Sequence, residues 1–167
     1  MHDELTVSDR KKMEEELRYR KNELRPRLMA EVKRTREYGD LSENYEYRAA
    51  KQERNRNDSR IRYLQNMLDT AVMIEKSGPA DAVDLFDRVT ILAEGEDEEE
   101  VYRIVTTIRA DAVEGYISKE SPLGKALIGR RANETVTVTV NERVSYRATI
   151  LRIEKCDDAD EIPISRF

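Results

Sequence analysis

Two carboxylates in the segment Gly39-Asp40-Leu41-Ser42-Glu43-Asn44 are the residues here most suited to chemistry. Asp40 and Glu43 sit three residues apart, within one helical turn. Spacing alone accommodates two readings. In one, the segment is a solvated turn whose acids favour the positive dipole end of a following helix. In the other, the acids are ligands for a divalent cation. Mg²⁺ commonly takes one or two carboxylates together with waters and phosphate oxygens. Asp40 and Glu43 alone make an incomplete site, so this second reading has them donated to a metal that a partner already holds.

Basic residues flank these acids: Arg34 and Arg36 before them, and Arg48, Lys51, Arg54, Arg56 and Arg60 after them. They fit a solvated helical face paired with nearby Glu residues. They also fit contact with nucleic-acid phosphates. Tyr38, Tyr45 and Tyr47 add rings able to stack on bases, although Tyr47 falls on an apolar seam and is expected to pack.

Helices must position this segment. From Asp9 to Glu37 helix formers dominate, with no Gly and a single Pro. Thr6 and Asp9 have the spacing of a capping box. Met13, Leu17, Leu24, Leu28 and Val32 recur at helical intervals, and Pro26 is expected to kink the helix. A second helix is expected from about Ser42 to Lys76. Its heptad seam is Tyr47, Ala50, Arg54, Asn57, Ile61, Leu64, Leu68 and Ala71, polar near the turn and apolar beyond it. Two such helices joined by a short turn run antiparallel, with a length of about 45 Å each at 1.5 Å per residue.

The second half of the chain alternates. Val89, Ile91 and Ala93, then Val101, Arg103 and Val105, read as strands, and Thr135 to Val140 is a strict period-two run. Asn141-Glu142-Arg143 reads as a hairpin turn into another strand. Ser121-Pro122-Leu123-Gly124 opens a short helix, with Ser121 as cap and Pro122 at its first position, and Gly129 stops it. The expected class is α+β: an antiparallel coiled-coil hairpin over 1–76, a linker over 77–82, a small antiparallel-sheet domain over 83–156, and a flexible acidic tail over 157–167.

Composition narrows the function. Of 167 residues, 39% are charged, against about a quarter in an ordinary soluble domain. No stretch approaches the roughly 18 apolar residues of a membrane span. One His and one Cys exclude His-based triads and zinc sites of the usual kinds, and the single Cys fits a reducing cytoplasm. Charge divides unevenly, with 18 basic and 16 acidic residues over 1–76 but 12 and 19 over 77–167. A net charge of −5 makes the chain a poor ligand for free duplex DNA. A basic stripe beside an acidic tip suits a nucleic acid already held by something else.

The segment Arg36-Glu-Tyr-Gly-Asp-Leu-Ser-Glu-Asn-Tyr-Glu-Tyr-Arg-Ala-Ala-Lys51 closely resembles the tip signature of the bacterial Gre transcript cleavage factors, GreA type. Leu5-Thr6, Glu16-Leu17 and Arg25-Pro26 fall in that family's order, as do Tyr102-Arg-Ile-Val105, Ile117-Ser118 and Ser121 to Gly129. The resemblance covers residues 5–155. It departs at Asp9, where Gly is frequent, and at Tyr45, where Ala is frequent. It implies an FKBP-like fold for the second domain, which would dock on RNA polymerase through Ser121, Pro122 and Leu123. The hairpin would enter the secondary channel, where Asp40 and Glu43 help hold a Mg²⁺ shared with the polymerase. Arg36 and Lys51 would contact the 3′ end of backtracked RNA, and the polymerase would do the cleaving. The chain would thus be a cofactor protein rather than an enzyme, cytoplasmic and monomeric. A channel-binding relative that inhibits without stimulating cleavage is the alternative. An autonomous prolyl isomerase is disfavoured by the absence of Trp and the scattered aromatics.

Overall fold

In a computed structural model of the chain, residues 3–38, 44–158 and 161–166 are described. The chain divides into two units. One comprises Arg10–Val72 with Met1–Asp3, and the other comprises Met73–Phe167 with Glu4–Asp9.

The first unit is a helical hairpin. Helix α1 spans Val7–Tyr19, α2 spans Arg25–Arg36 and α3 spans Tyr45–Thr70. Between α1 and α2 lies a π-helical turn, Arg20–Leu24, in which the Arg25 N–H donates to the Arg20 carbonyl. This turn answers the misfit of Pro26. The proline ring crowds the carbonyl four residues earlier, and a widened turn relieves that clash without ending the helix. Partners across the hairpin run in opposite directions along the two strands of helix. Arg10 donates to the Leu68 carbonyl, Arg20 bonds Asn57, and Asn44 donates to the Thr35 carbonyl.

The seam follows the expected heptads and adds to them. Ala50, Asn57, Ile61 and Leu64 are buried, and so are Arg60 and Met67. Helix α3 is shorter than expected. It starts at Tyr45 because Asn44 caps it, and it ends at Thr70, after which Ala71 is extended and Val72–Met73 form strand β2. At 1.5 Å per residue, its 26 residues span about 39 Å.

The middle of the seam is polar. Arg60 donates twice to the Glu16 carboxylate, at 2.9 and 3.1 Å, and Arg20 donates to Glu16 at 2.6 Å and to Asn57 at 3.0 Å. Burial opposes ionisation of Glu16, but the bonds from Arg60 and Arg20 outweigh it and hold its carboxyl below the ordinary value. A polar layer of this kind fixes the register of two helices, because sliding by one turn would strand each of its charges.

The second unit is built on a five-stranded sheet in the order β5-β4-β3-β7-β6. These strands are Arg88–Ala93 (β3), Glu100–Val105 (β4), Tyr116–Ser118 (β5), Thr135–Thr139 (β6) and Ser145–Glu154 (β7). The two-residue strand β1 is Glu4–Leu5, and the Leu5 carbonyl accepts from Ile74 N–H at 2.8 Å. Helix α4, Pro122–Leu127, packs with the core of Val89, Ile91, Ile104, Leu127, Val136, Val138, Ala148 and Ile150. The period-two pattern of Thr135 to Val140 is explained directly, with Val136 and Val138 facing the core and the threonines facing out.

Two expectations fail in this unit. The sheet is mixed rather than antiparallel: β5 lies parallel to β4, with Arg103 opposite Tyr116 and Val105 opposite Ser118. A 3₁₀ turn at Thr107–Arg109 and the loop after it carry the chain over so that β5 can enter in the same direction. The acidic tail is not loose, since Ile162 is fully buried beside Leu85, Phe86 and Val105. Ser165 N–H donates to the Ile108 carbonyl, and Asp158 pairs with Arg109 at 2.7 Å.

Candidate functional site

Asp40 and Glu43 fall outside the described residues, but the structure defines what holds the segment containing them. Asn44 does two jobs there. Its side-chain oxygen accepts from the Tyr47 N–H at 2.9 Å, capping α3. Its amide nitrogen donates to the Thr35 carbonyl at 2.9 Å, tying the start of α3 to the end of α2. The same carbonyl accepts from the Tyr38 N–H at 3.3 Å. Thr35 is buried, and its hydroxyl donates back to the carbonyls of Glu31 and Val32. Tyr38 and Asn44, the described residues on either side of that segment, therefore meet at one carbonyl. Sequence reading placed Asn44 in the motif without assigning it this role. The available signal was an N-cap residue one position before the helix.

The basic flanks sort into two groups. Arg34 pairs with Glu31, Arg56 pairs with Glu53 at 3.2 Å, and Arg60 is committed to Glu16 across the seam. These three follow the solvated-face and packing readings. Arg36 and Lys51 differ. Lys51 lies 5.9 Å from the Tyr47 ring centre, Arg36 is exposed, and among the described residues neither has a carboxylate partner. Arg36 is on the last turn of α2 and Lys51 on the second turn of α3. Tyr47 is half-buried as expected, while Tyr38 and Tyr45 are exposed.

Ser121, Pro122 and Leu123 form the start of α4. The Ser121 hydroxyl oxygen accepts from Gly124 N–H at 3.0 Å, and its O–H donates to the Ser118 carbonyl at 2.7 Å. Pro122 is exposed at the first helical position, whereas Leu123 packs partly against the core. Gly124 permits this arrangement: a Cβ there would lie 2.1 Å from the Ser118 oxygen, so any larger residue would push α4 off the end of β5. Beside it Lys119 pairs with Glu4. Of the three residues, Pro122 is the exposed one, and Ser121 and Leu123 are half-buried.

Elsewhere the described residues offer no competing centre. No group of three or more His, Cys, Asp and Glu among them is placed to hold a metal ion, and no helix is long and apolar enough to cross a membrane.

A two-helix hairpin with Tyr38 and Asn44 bonded to one carbonyl on either side of an acidic segment, and a mixed-sheet unit in the same chain, is the setting for the family comparison. The family model for the transcription elongation factor N-terminal domain matches residues 4–73, and that for the GreA/GreB C-terminal domain matches residues 78–155. The chain belongs to the GreA/GreB family of transcription elongation factors. It is 41% identical to transcription elongation factor GreA of Streptococcus pneumoniae serotype 19F over 152 residues, covering 90% of this chain and 94% of the relative. Identity to GreA of Geobacillus kaustophilus is 45% over 136 residues, covering 80% and 85%. Among solved structures, GreA factor homolog 1 of Thermus thermophilus aligns at 23% identity and a TM-score of 0.43, over 93% of this chain and 100% of that one.

Proposed function

We propose that this chain binds RNA polymerase at its secondary channel and stimulates the polymerase's own cleavage of backtracked RNA. The observation that supports this reading is the bond of Asn44 to the Thr35 carbonyl, which ties the start of α3 to the end of α2 on either side of the segment that carries Asp40 and Glu43 in the sequence. The donor chemistry suits Mg²⁺: both groups are hard carboxylate oxygens, and two of them leave coordination positions for waters and phosphate. When held jointly with the polymerase, the ion would stabilise the attacking and leaving oxygens of the displacement. Asp40 and Glu43 supply negative oxygens to that shared site. Arg36 and Lys51 balance phosphate charge on the RNA. Docking falls to the second unit, with the start of α4 at Ser121, Pro122 and Leu123 as the contact. The chain itself is a cofactor protein and not the catalyst.

The test is release of 3′ RNA fragments from backtracked polymerase complexes. Added protein should accelerate release, and Asp40→Asn or Glu43→Gln should abolish the acceleration with polymerase binding retained. A double variant that still stimulates would overturn the metal role. Binding without any stimulation by the unaltered chain would favour the inhibitory alternative.

A further inference from the structure

The tail closes one side of a cavity in the second unit. Its volume is about 760 Å³, inside the roughly 300–1,000 Å³ of ordinary ligand sites. One wall comes from residues 109–116 and the other from residues 163–166. The second wall lies past residue 155, where the match to the family ends. Bonds close by fix both walls. On the tail, Ile162 is buried, and Ser165 donates from its N–H to the Ile108 carbonyl at 2.6 Å and from its hydroxyl to the Ala110 carbonyl at 3.0 Å. In the turn, Asp111 and Tyr116 exchange backbone bonds at 2.9 Å each, and the Asp111 carboxylate accepts from the Val113 N–H at 3.0 Å. The cavity is thus preformed, so a ligand entering it need not order the walls.

Charge divides the lining. Asp111 and Glu114 stand on the turn and Arg166 on the tail. All three are exposed, and among the described residues none pairs with an opposite charge. Arg109 also reaches the cavity, but it is committed to Asp9 and Asp158. Ala110, Ala112, Pro163 and Ile164 make the rest mostly apolar. Val113, which lies between two lining residues in the chain, is 93% exposed and packs on nothing that explains it.

We propose that this cavity holds a short extended peptide segment of a partner protein. A Lys or Arg of that segment would face Asp111 and Glu114, an apolar side chain would fill the cavity, and a carboxylate would face Arg166. Acids on one wall and a base on the other select a ligand that carries both charges. Nucleic acid fails this requirement, because its phosphates would meet two carboxylates. A simple amine leaves Arg166 unmatched and the apolar surface uncovered. A peptide supplies cation, apolar body and anion along one chain. This inference stands apart from the polymerase reading, since it uses neither the hairpin nor the start of α4.

The experiment selects random heptapeptides displayed on phage against the immobilised full chain, and in parallel against its Asp111→Asn/Glu114→Gln and Arg166→Gln variants. Asp111→Asn keeps the oxygen that accepts from Val113, so the turn should hold, and urea midpoints of all three proteins should agree. Peptides enriched on the unaltered chain should carry a basic and an acidic residue separated by an apolar one. The most enriched peptide, made synthetically, should shift the amide NMR signals of Ala110, Tyr116 and Ile164. It should bind the Asp111→Asn/Glu114→Gln variant roughly fivefold or more weakly, as expected on losing two partly exposed ion pairs. No enrichment, the same peptides from all three proteins, peptides without a basic residue, or shifts confined to other parts of the chain would each overturn the proposal. So would a dimer of the unaltered chain in sedimentation that the variants do not form, since that would make a second copy the occupant.

Discussion

Asp9 and Arg109, 100 residues apart in sequence, form an ion pair with both side chains fully removed from solvent. Asp9 also closes the capping box, accepting from Thr6 N–H at 2.9 Å. Arg109 reaches Asp158 at 2.7 Å and the Ser8 hydroxyl at 2.9 Å, and its guanidinium lies 5.2 Å from the Phe86 ring centre. One buried guanidinium thus ties the N-terminal residues and the tail to the turn after β4. Removing it strands a buried carboxylate. Arg109→Met should therefore cost about 3–5 kcal/mol. An apolar replacement of both partners removes that penalty, so Asp9→Ala/Arg109→Met should be less destabilised than the two single changes summed. Urea unfolding of the four proteins checks this, and simple additivity would show that the pair is not coupled.

Ile162 makes the tail a structural element. It is fully buried beside Leu85, Phe86 and Val105. Ile162→Ala should cost about 2–5 kcal/mol, the range for emptying a buried aliphatic site. Thermal unfolding measures it. A cost under about 0.5 kcal/mol, typical of a surface change, would mean that the tail does not hold this position in solution.

Asp87 is a fully buried carboxylate with four donors: Lys76 and Lys155 at 2.5 Å, Asp84 N–H at 2.8 Å and Cys156 N–H at 3.2 Å. Burial opposes its ionisation, but Lys155, Lys76 and the two amides outweigh burial and lower its pKa from the ordinary 3.8. The unfolded chain therefore binds this proton more readily than the folded one. The stabilisation is complete above the ordinary value and is lost as pH falls through the lowered folded value. Glu16, also lowered, acts in the same direction. Urea midpoints should fall between about pH 5 and pH 2, and Asp87→Asn should flatten that fall while lowering stability at neutral pH. An unchanged slope in Asp87→Asn would assign the acid sensitivity elsewhere.

Periodicity and capping rules made much of this legible. The seam from Ala50 to Leu64, the Thr6–Asp9 box, Ser121 with Pro122, and the turn at Asn141 all follow from spacing between near neighbours. What escaped depends on partners far apart in sequence. Thr6 and Asp9 announce a cap, but nothing local announces Arg109. Glu16 looks like a surface acid until Arg60, 44 residues later, is placed opposite it. The acidic residues after Cys156 resemble a solvated tail because Ile162, the one buried residue among those described there, has no periodic company. Parallel entry of β5 depends on the path of the loop after Arg109, which no two-residue repeat encodes. At the site the acids and bases were legible as types. Their division into committed and available cations required the pairs Glu31–Arg34, Glu53–Arg56 and Glu16–Arg60.

Asn44 separates two effects that can be tested apart. Its oxygen caps α3 and its nitrogen holds α2, so different substitutions remove different halves. Asn44→Asp keeps an N-cap oxygen of nearly equal quality but has no N–H for the Thr35 carbonyl. Asn44→Ala loses both and should cost about 1 kcal/mol from the cap alone, plus about 0.5–1.5 kcal/mol from the cross-helix bond. If the clamp positions Asp40 and Glu43, Asn44→Asp should unfold close to the unaltered protein yet stimulate fragment release poorly. The added charge is controlled by Asn44→Ser, which also caps without spanning to Thr35 and should behave alike. Full stimulation by both variants would show that the cap alone sets the tip, and that the Thr35 carbonyl is only a bystander to its chemistry.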